Sequence, residues 1–476
     1  MEMTLFPKAA ENRETKLYVS SLTDEGAGFA SNHLNSDHAL PAKRGLLRVF
    51  GQATFGVYQR IFLTVLIMNA YYAYHIITIE RRSKYSPLLI DITTAASANM
   101  FVAIMIRQDY ILNALFWLCW SVPFTTPLCI RQSLAKVYEL GGLHSGTAFC
   151  SVLWSSFLFA VLTVEFVTLR IADPLIMVCS CTILVILWSM VLTSLPQVRS
   201  WRHNLFENFH RYGGWTVLGL YWVLLFLFTR ALGHQAGPQS PGAVLTDLPA
   251  FWTLISCCYH VALPWMRLRR LEIQPERLGV GVRAIRLHLG VKVRNCVVLR
   301  ISDSPLTEWH SFACIPDRHG NGGSLLVSNA GDWTRRTINR PKSHYYTRGI
   351  PTAGVLCMTQ IFRKVILVTT GSGIGPCLGT TMNTPATKFR ILWSAPSPRQ
   401  TFGDDICDRV LEADSQAVVI DTHIDRCKNL VVLAYSLYIE EGAEAIFCVS
   451  NKALTTHVVY ELGSRGIPMF GPIWDS

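Results

Sequence analysis

Between residues 61 and 266 the sequence returns repeatedly to runs of about 20 apolar residues, the length a helix needs to cross a lipid bilayer. The runs lie at about 61–79, 87–106, 110–130, 147–169, 174–196, 214–232 and 250–266. A chain written this way is expected to be an integral, multi-pass membrane protein, with residues 45–270 as its helical transmembrane domain and the lipid bilayer as partner. Of the 476 residues, 50% are hydrophobic and only 16% are charged, as that reading requires. A net charge of +11 also suits nucleic acid. The basic residues, however, gather in short runs beside the apolar segments, as juxtamembrane charge does. No nucleic-acid partner is therefore expected. The 14 cysteines include no C-x-x-C pair, so neither a disulfide framework nor a zinc site is indicated, and no metal-binding residues are predicted.

Residues 1–44 are polar and aperiodic and are expected to be a disordered tail with no apolar signal segment. Lysine and arginine counts in the short loops set the orientation. Arg267, Arg269 and Arg270 mark the cytosolic end, and the stretches 198–211, 131–145 and 80–86 fall on the same side. The loop 233–249 has no lysine or arginine and falls outside. Seven spans put the basic flank Lys43-Arg44 on the wrong side, and six follow if the first run does not cross. Both counts stay open.

The second half reads differently. Val280–Leu289, Lys292–Ile301 and Ser324–Ala330 are short β-rich runs split by turn residues, the spacing of a small antiparallel barrel, assigned to 271–358. From Val365 the run VILVTT breaks into Gly371-Ser372-Gly373-Ile374-Gly375, and Pro376 is placed to open a helix at its first position. Glycines at such a junction let backbone N–H groups approach a pyrophosphate, favoured by the positive helix end. Strand-like and helix-like runs then alternate to the end of the chain, predicting a parallel α/β sheet over 359–476. Ligands of such sheets lie beyond the carboxyl ends of the strands. Trp393-Ser394, Asp421-Thr422 and Cys448–Asn451 stand there beside the glycine turn.

Several passages carry a family resemblance. Gly141-Gly142-Leu143-His144-Ser145-Gly146, the run Arg202–Trp215 (RHNLFENFHRYGGW), Glu308-Trp309-His310-Ser311-Phe312-Ala313 and Gly331-Asp332-Trp333-Thr334 resemble the ferric reductase and NADPH oxidase superfamily. Their order, with the terminal Gly471–Ser476, is similar to fungal integral membrane proteins of the TmpA type. The barrel and sheet with Thr-Gly-Ser-Gly-Ile-Gly-Pro resemble the ferredoxin-reductase fold. This resemblance implies FAD on the barrel and NAD(P)H on the sheet, with a bundle of six or seven helices ahead of them. It implies that Phe312 stacks on the flavin, that His310 and Ser311 line it, and that Ser324 and Ser328 face phosphates. Arg335 and Arg336 either neutralise phosphate or form a solvated edge, and Trp333 reads as a surface residue of a turn. Cys448 matches the cysteine that ends the fourth strand beside the hydride path; a buried apolar cysteine fits that position equally. Ser394 and Arg399 are the positions that choose between NADH and NADPH, and the choice stays open.

The chain departs from the haem-carrying members. They place two histidines about 13 residues apart on each of two helices, whereas one such spacing beyond His144 lie Phe157 and Leu158. Haem is not expected. His203 and His210 read as solvated loop residues, and His75 and His260 as hydrogen-bonded core residues. Together these features imply a membrane-anchored NAD(P)H-dependent flavoprotein oxidoreductase acting on an organic, lipophilic small molecule, in specialised metabolism or developmental signalling. A non-catalytic nucleotide-sensing membrane protein and a ferric reductase are the alternatives.

Overall fold

The computed structural model describes residues 38–43, 56–78, 87–168, 173–235, 241–279, 284–318, 320–382, 386–424 and 429–472. The tail to residue 37, the basic loop 80–86, residues 280–283 and the terminal 473–476 lie outside them.

Six long helices form a bundle: Val57–Thr78, Pro87–Met105, Gly141–Val167, Pro174–Ser194, His203–Gln235 and Pro249–Met266. By length and composition, five helical stretches among the described residues are apolar enough to cross a membrane: Val57–Thr78, Leu88–Met105, Leu128–Val167, Pro174–Ser194 and His203–Ala231. The outer faces carry exposed Ile67, Met68, Val164, Val178, Val185 and Phe226, while polar groups turn inward. Asn69 Oδ1 accepts from Asn99 (2.7 Å) and from the Trp154 indole (2.8 Å), and Ser155 meets Tyr221 at 2.6 Å. Hydrogen bonds between helices hold a bundle together where water does not compete.

Glycines set the closest approach. A Cβ on Gly142 would run into the Tyr58 carbonyl, and one on Gly146 would meet Val65 at 3.2 Å. The Gly-Gly-Leu-His-Ser-Gly passage is thus a small-xxx-small face that lets Val57–Thr78 lie against its neighbour.

The apolar run at 110–130 corrects the sequence reading. It forms the helix Asp109–Trp120 and the start of Leu128–Leu134. Twelve helical residues reach only about 18 Å, short of a hydrocarbon core of about 30 Å. Its apolar side is buried against the C-terminal half, where Phe116 shares one core with Phe362, Ile391 and Trp393. With that run removed, the chain enters and leaves the bundle at one end. Lys43 pairs with Glu461 (2.8 Å) and lies over the Tyr460 ring (4.9 Å), on the helix Lys452–Gly463.

Strands β1 (Arg269–Leu278), β2 (Ala284–Leu289), β3 (Val297–Ser302), β4 (His310–Pro316), β5 (Gly323–Ser328) and β6 (His344–Thr347) form an antiparallel sheet in the order β4-β5-β2-β1-β6-β3. Pairing of β3 with β4 closes it into a barrel. Alternate residues fill the inside, among them Ile285, Leu287, Leu299, Ile301, Leu325 and Val327. The short β7 (Thr352–Ala353) leads out to a parallel sheet of β8 (Lys364–Thr370), β9 (Lys388–Ala395), β10 (Val418–Asp421), β11 (Ala445–Val449) and β12 (Met469–Phe470), in the order β10-β9-β8-β11-β12. An antiparallel barrel followed by this sheet is the ferredoxin-reductase-like arrangement.

The short segment between the second and third long helices joins these units. Asp109, buried, pairs with Arg300 of β3 and accepts from the Ile350 N–H at 3.2 Å. Arg131, also buried, donates to both oxygens of Glu444 (2.8 and 3.1 Å) and to the Ile361 carbonyl (2.7 Å). Burial opposes the Glu444 charge, but Arg131 and the Arg363 N–H outweigh it and hold the carboxyl below its ordinary 4.5. A depressed folded-state pKa contributes stability above the unfolded value and loses it as pH falls through the folded one. Glu444→Gln is therefore expected to cost about 3 kcal/mol at pH 7. The gap from the unaltered protein should close as pH drops below 4.5. Denaturant titrations across pH measure this, and a gap independent of pH would contradict it.

Candidate functional site

A cleft of about 440 Å³ opens where barrel and sheet meet. From the barrel side it is lined by Ser328, Asn329, Arg335 and Asn339, and from the sheet side by Gly371, Ser372, Thr401 and Phe402. Ser328 and Ser372 face each other across it with hydroxyls 2.6 Å apart. Arg335 is exposed and, among the described residues, has only a long contact to Asp332 (3.9 Å), which leaves its guanidinium placed to take a phosphate.

The turn that feeds the cleft is built by its neighbours. Trp393, fully buried in β9, donates its indole N–H to the Gly371 carbonyl at 2.9 Å. Hydroxyls lock the adjoining strand ends, with Thr369 donating to the Val449 carbonyl (2.8 Å) and Thr370 paired with Ser450. Gly371 has φ +53, which favours glycine, and open space where a side chain would stand.

The other glycines of the turn serve packing. A Cβ on Gly373 would strike Thr369 and the Val449 carbonyl. One on Gly375 would press on Leu326 of β5 at 3.2 Å, and one on Gly379 would strike the Cys314 carbonyl of β4. The helix Ile374–Thr381 thus uses its glycines to lie on the barrel. It starts at Ile374, which is buried, after a 3₁₀ turn at Gly371–Gly373, so half-buried Pro376 stands third in the helix rather than first.

The remaining predicted residues fall into four groups. His310 and Phe312 form an aromatic cluster with Trp333: His310 stacks on it at 4.2 Å and 23°, and Phe312 lies 5.8 Å away. Ser311 between them is exposed. Trp333 is buried, not a surface residue, and its indole donates to Asp303 at 3.0 Å. Ser324 lies inside an ion network rather than at a phosphate site; it accepts from Arg286 (2.8 Å), which pairs with Asp405 (2.6 Å). Ser394 and Cys448 are buried in their strands, and burial pushes the Cys448 thiol up to about 12. Arg399 is held by Asp404 (2.7 Å) and Asp408 (3.5 Å). Asn329, Asn339 and Thr401 were not predicted, because no spacing rule reports which loops a barrel and a sheet bring together.

In the bundle, His210 belongs to the helix His203–Gln235 and packs edge-on to His144 at 6.2 Å rather than standing in a solvated loop. The Nδ1 atoms of His75 and His260 are buried with no hydrogen-bond partner, against the expectation of hydrogen-bonded core residues.

The cleft's donors suit a dinucleotide: the exposed Arg335 guanidinium, paired hydroxyls and a glycine turn ahead of a helix can hold a pyrophosphate. The aromatic cluster offers π-surface for a flavin ring. Trp333 already covers one side of that surface, and Ala313 supplies no hydroxyl.

Residues 355–476 match the family model described as Adenylate-forming reductase 03009, C-terminal domain. Adenylate-forming reductase 03009 of Coprinopsis cinerea is 37% identical over 447 residues, 94% of this chain and 43% of that protein. The chain is homologous to adenylate-forming reductase 03009. Adenylate-forming reductase 06235 of the same fungus is 35% identical over 459 residues, 96% of this chain and 44% of that one. The chain thus spans a little under half the length of the curated relatives it matches. Among solved structures, ferredoxin-NADP+ reductase from Plasmodium falciparum matches at 10% identity and TM-score 0.33, over 43% of this chain and 95% of that one. The ferredoxin NADP+ reductase of Neisseria gonorrhoeae gives 13% and 0.33, over 44% and 99%. The fold rests on the strands described above and not on these scores.

The two kinds of glycine-turn residue are separable. Gly373→Ala is expected to cost about 1–3 kcal/mol through overpacking. Ser372→Ala should stay within about 0.5 kcal/mol. Thermal denaturation compares them, and equal losses would contradict the division.

Proposed function

We propose that the barrel and sheet form an NAD(P)H-dependent, flavin-type oxidoreductase module fixed to a membrane by the helical bundle. The observation that carries the reading is the cleft between them, with Gly371, Ser372 and Arg335 converging from both sides. Homology to proteins named as reductases supports a reductive role. When bound, the nicotinamide supplies a hydride and the flavin accepts it. The chain's own residues do the rest: Arg335 neutralises phosphate charge, Ser328, Ser372 and Thr401 orient the dinucleotide, and the His310–Phe312–Trp333 cluster forms an apolar wall. The substrate proposed is an organic, lipophilic molecule reached without a haem relay, as in membrane proteins of the TmpA type.

A nucleotide sensor without turnover is the second reading, favoured by Ala313 and by the cover of Trp333 over Phe312. Arg335→Ala is expected to weaken NADPH or NADH binding about tenfold, the loss of one charge-assisted hydrogen bond of about 1.5 kcal/mol. Calorimetric titration reads this, and no binding by the unaltered protein would end the reading. The absorbance spectrum of purified protein separates the two alternatives: a flavin band bleached by NAD(P)H supports turnover, and an intact band the sensor. A Soret band would restore haem.

For the membrane itself, we propose six spans with both chain ends cytosolic. Support comes from Lys43 resting on the final helix and from exposed apolar helix faces. Lys43, Arg44 and Arg48 then obey the charge rule, while Arg81, Arg82 and Lys84 become its exception. In sealed vesicles, tags at the two ends should be digested by protease together; protection of one alone would overturn this orientation.

A further inference from the structure

Two cysteines outside the cleft sit where the barrel meets the connector into the parallel sheet. Cys296 immediately precedes β3, and Cys357 lies in the 3₁₀ helix Val355–Ile361 that leads to β8. Both are buried. The Cys357 thiol donates to the Cys296 carbonyl at 2.8 Å, which brings its sulfur against the Cys296 residue. Gln360 approaches the Cys296 sulfur at 3.9 Å.

Cys296 is held from three directions. Its N–H donates to the Gly379 carbonyl (2.9 Å), and its carbonyl accepts from Gly354 (3.2 Å) as well as from Cys357. It also has φ +59, the left-handed region that a cysteine seldom adopts. Such a conformation persists only where the surroundings enforce it. The contacts therefore fix the Cys296 backbone beside the Cys357 thiol. Among the described residues no third ligand completes a metal site.

We propose that Cys296 and Cys357 are a reversible dithiol–disulfide pair that staples the barrel to the entry of the nucleotide sheet. The oxidant is a small peroxide. The Cys296 sulfur attacks one peroxide oxygen, the O–O bond breaks, and a sulfenic acid and one water result. The Cys357 sulfur then attacks that sulfur, forming the S–S bond and releasing the second water. Two thiol hydrogens and two electrons have passed to the peroxide, and a dithiol reductant reverses the change. The neighbouring Cys357 side chain holds the Cys296 thiol below its ordinary pKa, which suits Cys296 as the attacking sulfur.

The staple would close a loop holding β3 to β7 and restrain the barrel against the sheet across the cleft. The site needs no bound dinucleotide, so its test stands apart from the proposed function. Full-length protein in detergent is treated with hydrogen peroxide, free thiols are alkylated under denaturing conditions, and the digest is weighed. The expected product joins the peptides bearing Cys296 and Cys357, lighter by two hydrogens and separated by dithiothreitol. The melting temperature should rise by roughly 4 °C or more. Cys357→Ala and Cys296→Gly, the latter tolerating the left-handed backbone, should each abolish the product and the rise. Full alkylation of both cysteines after peroxide, or linkage of either to another cysteine, would overturn the proposal.

Discussion

A charged side chain stripped of water must find partners within hydrogen-bond reach, or the cost of burying it runs to several kcal/mol. Asp109 and Arg131 are both in this position, and both lie on the one segment that links the second and third long helices. The first takes its partners from the barrel, Arg300 and the Ile350 N–H; the second takes them from the sheet domain, Glu444 and the Ile361 carbonyl. The two charges are both satisfied only when the barrel and the sheet domain each stand against this segment. The relative placement of bundle, barrel and sheet follows from that requirement, and the shared core around Phe116 fills the space it encloses.

The bundle reinforces the joint from a second direction. Arg211 donates to the carbonyls of Leu306 and Thr307, and Tyr212 to Leu306 at 2.9 Å, so the long RHNLFENFHRYGGW passage grips the loop ahead of β4. Beside it Arg348 lies between the rings of Trp265 (4.9 Å) and Trp309 (4.5 Å), and Trp265 in turn meets Trp215 at 5.7 Å. Burial, with Arg300 and Arg211 nearby, pulls the Arg348 pKa down to about 10, which still leaves it a cation for its two indoles at neutral pH. The motifs that resemble haem-binding helices therefore have structural work here: glycines for close packing, and cations and aromatics for docking the barrel.

Much of this was legible in the residues. The β-branched run ending in Gly371, the alternation that follows and the short β-rich runs before it specify a barrel and a parallel sheet, because strand periodicity and turn residues are local properties. The failures were of another kind. Apolarity at 110–130 reports that a helix leaves water but not which apolar surface receives it, and here the receiver is the sheet domain. Four neighbouring glycines look alike in sequence, yet Gly371 faces the cleft while Gly373, Gly375 and Gly379 allow close contact with adjoining strands. Trp333 and Ser324 went astray for the same reason. Burial and ion pairing depend on what another strand or helix brings to the spot, as Arg286 and Asp405 do for Ser324.

The double attachment also limits how the cleft can work. A ligand entering between Arg335 and Ser372 meets walls that belong to the barrel on one side and the sheet domain on the other. Both are anchored to the same short segment, so neither can swing freely as a rigid body without breaking a buried ion pair. Movement must then be absorbed in the connector from Gly354 to Arg363, which carries no long strand or helix and joins β7 to β8. That connector is tied at one end to Cys296 through Gly354 and Cys357, and at the other to Glu444 through the Arg363 N–H at 2.7 Å. Opening of the site and the state of the Cys296–Cys357 contact are therefore coupled through ten residues of backbone. The Cys296–Cys357 contact thus sits at the start of the connector that joins barrel to sheet.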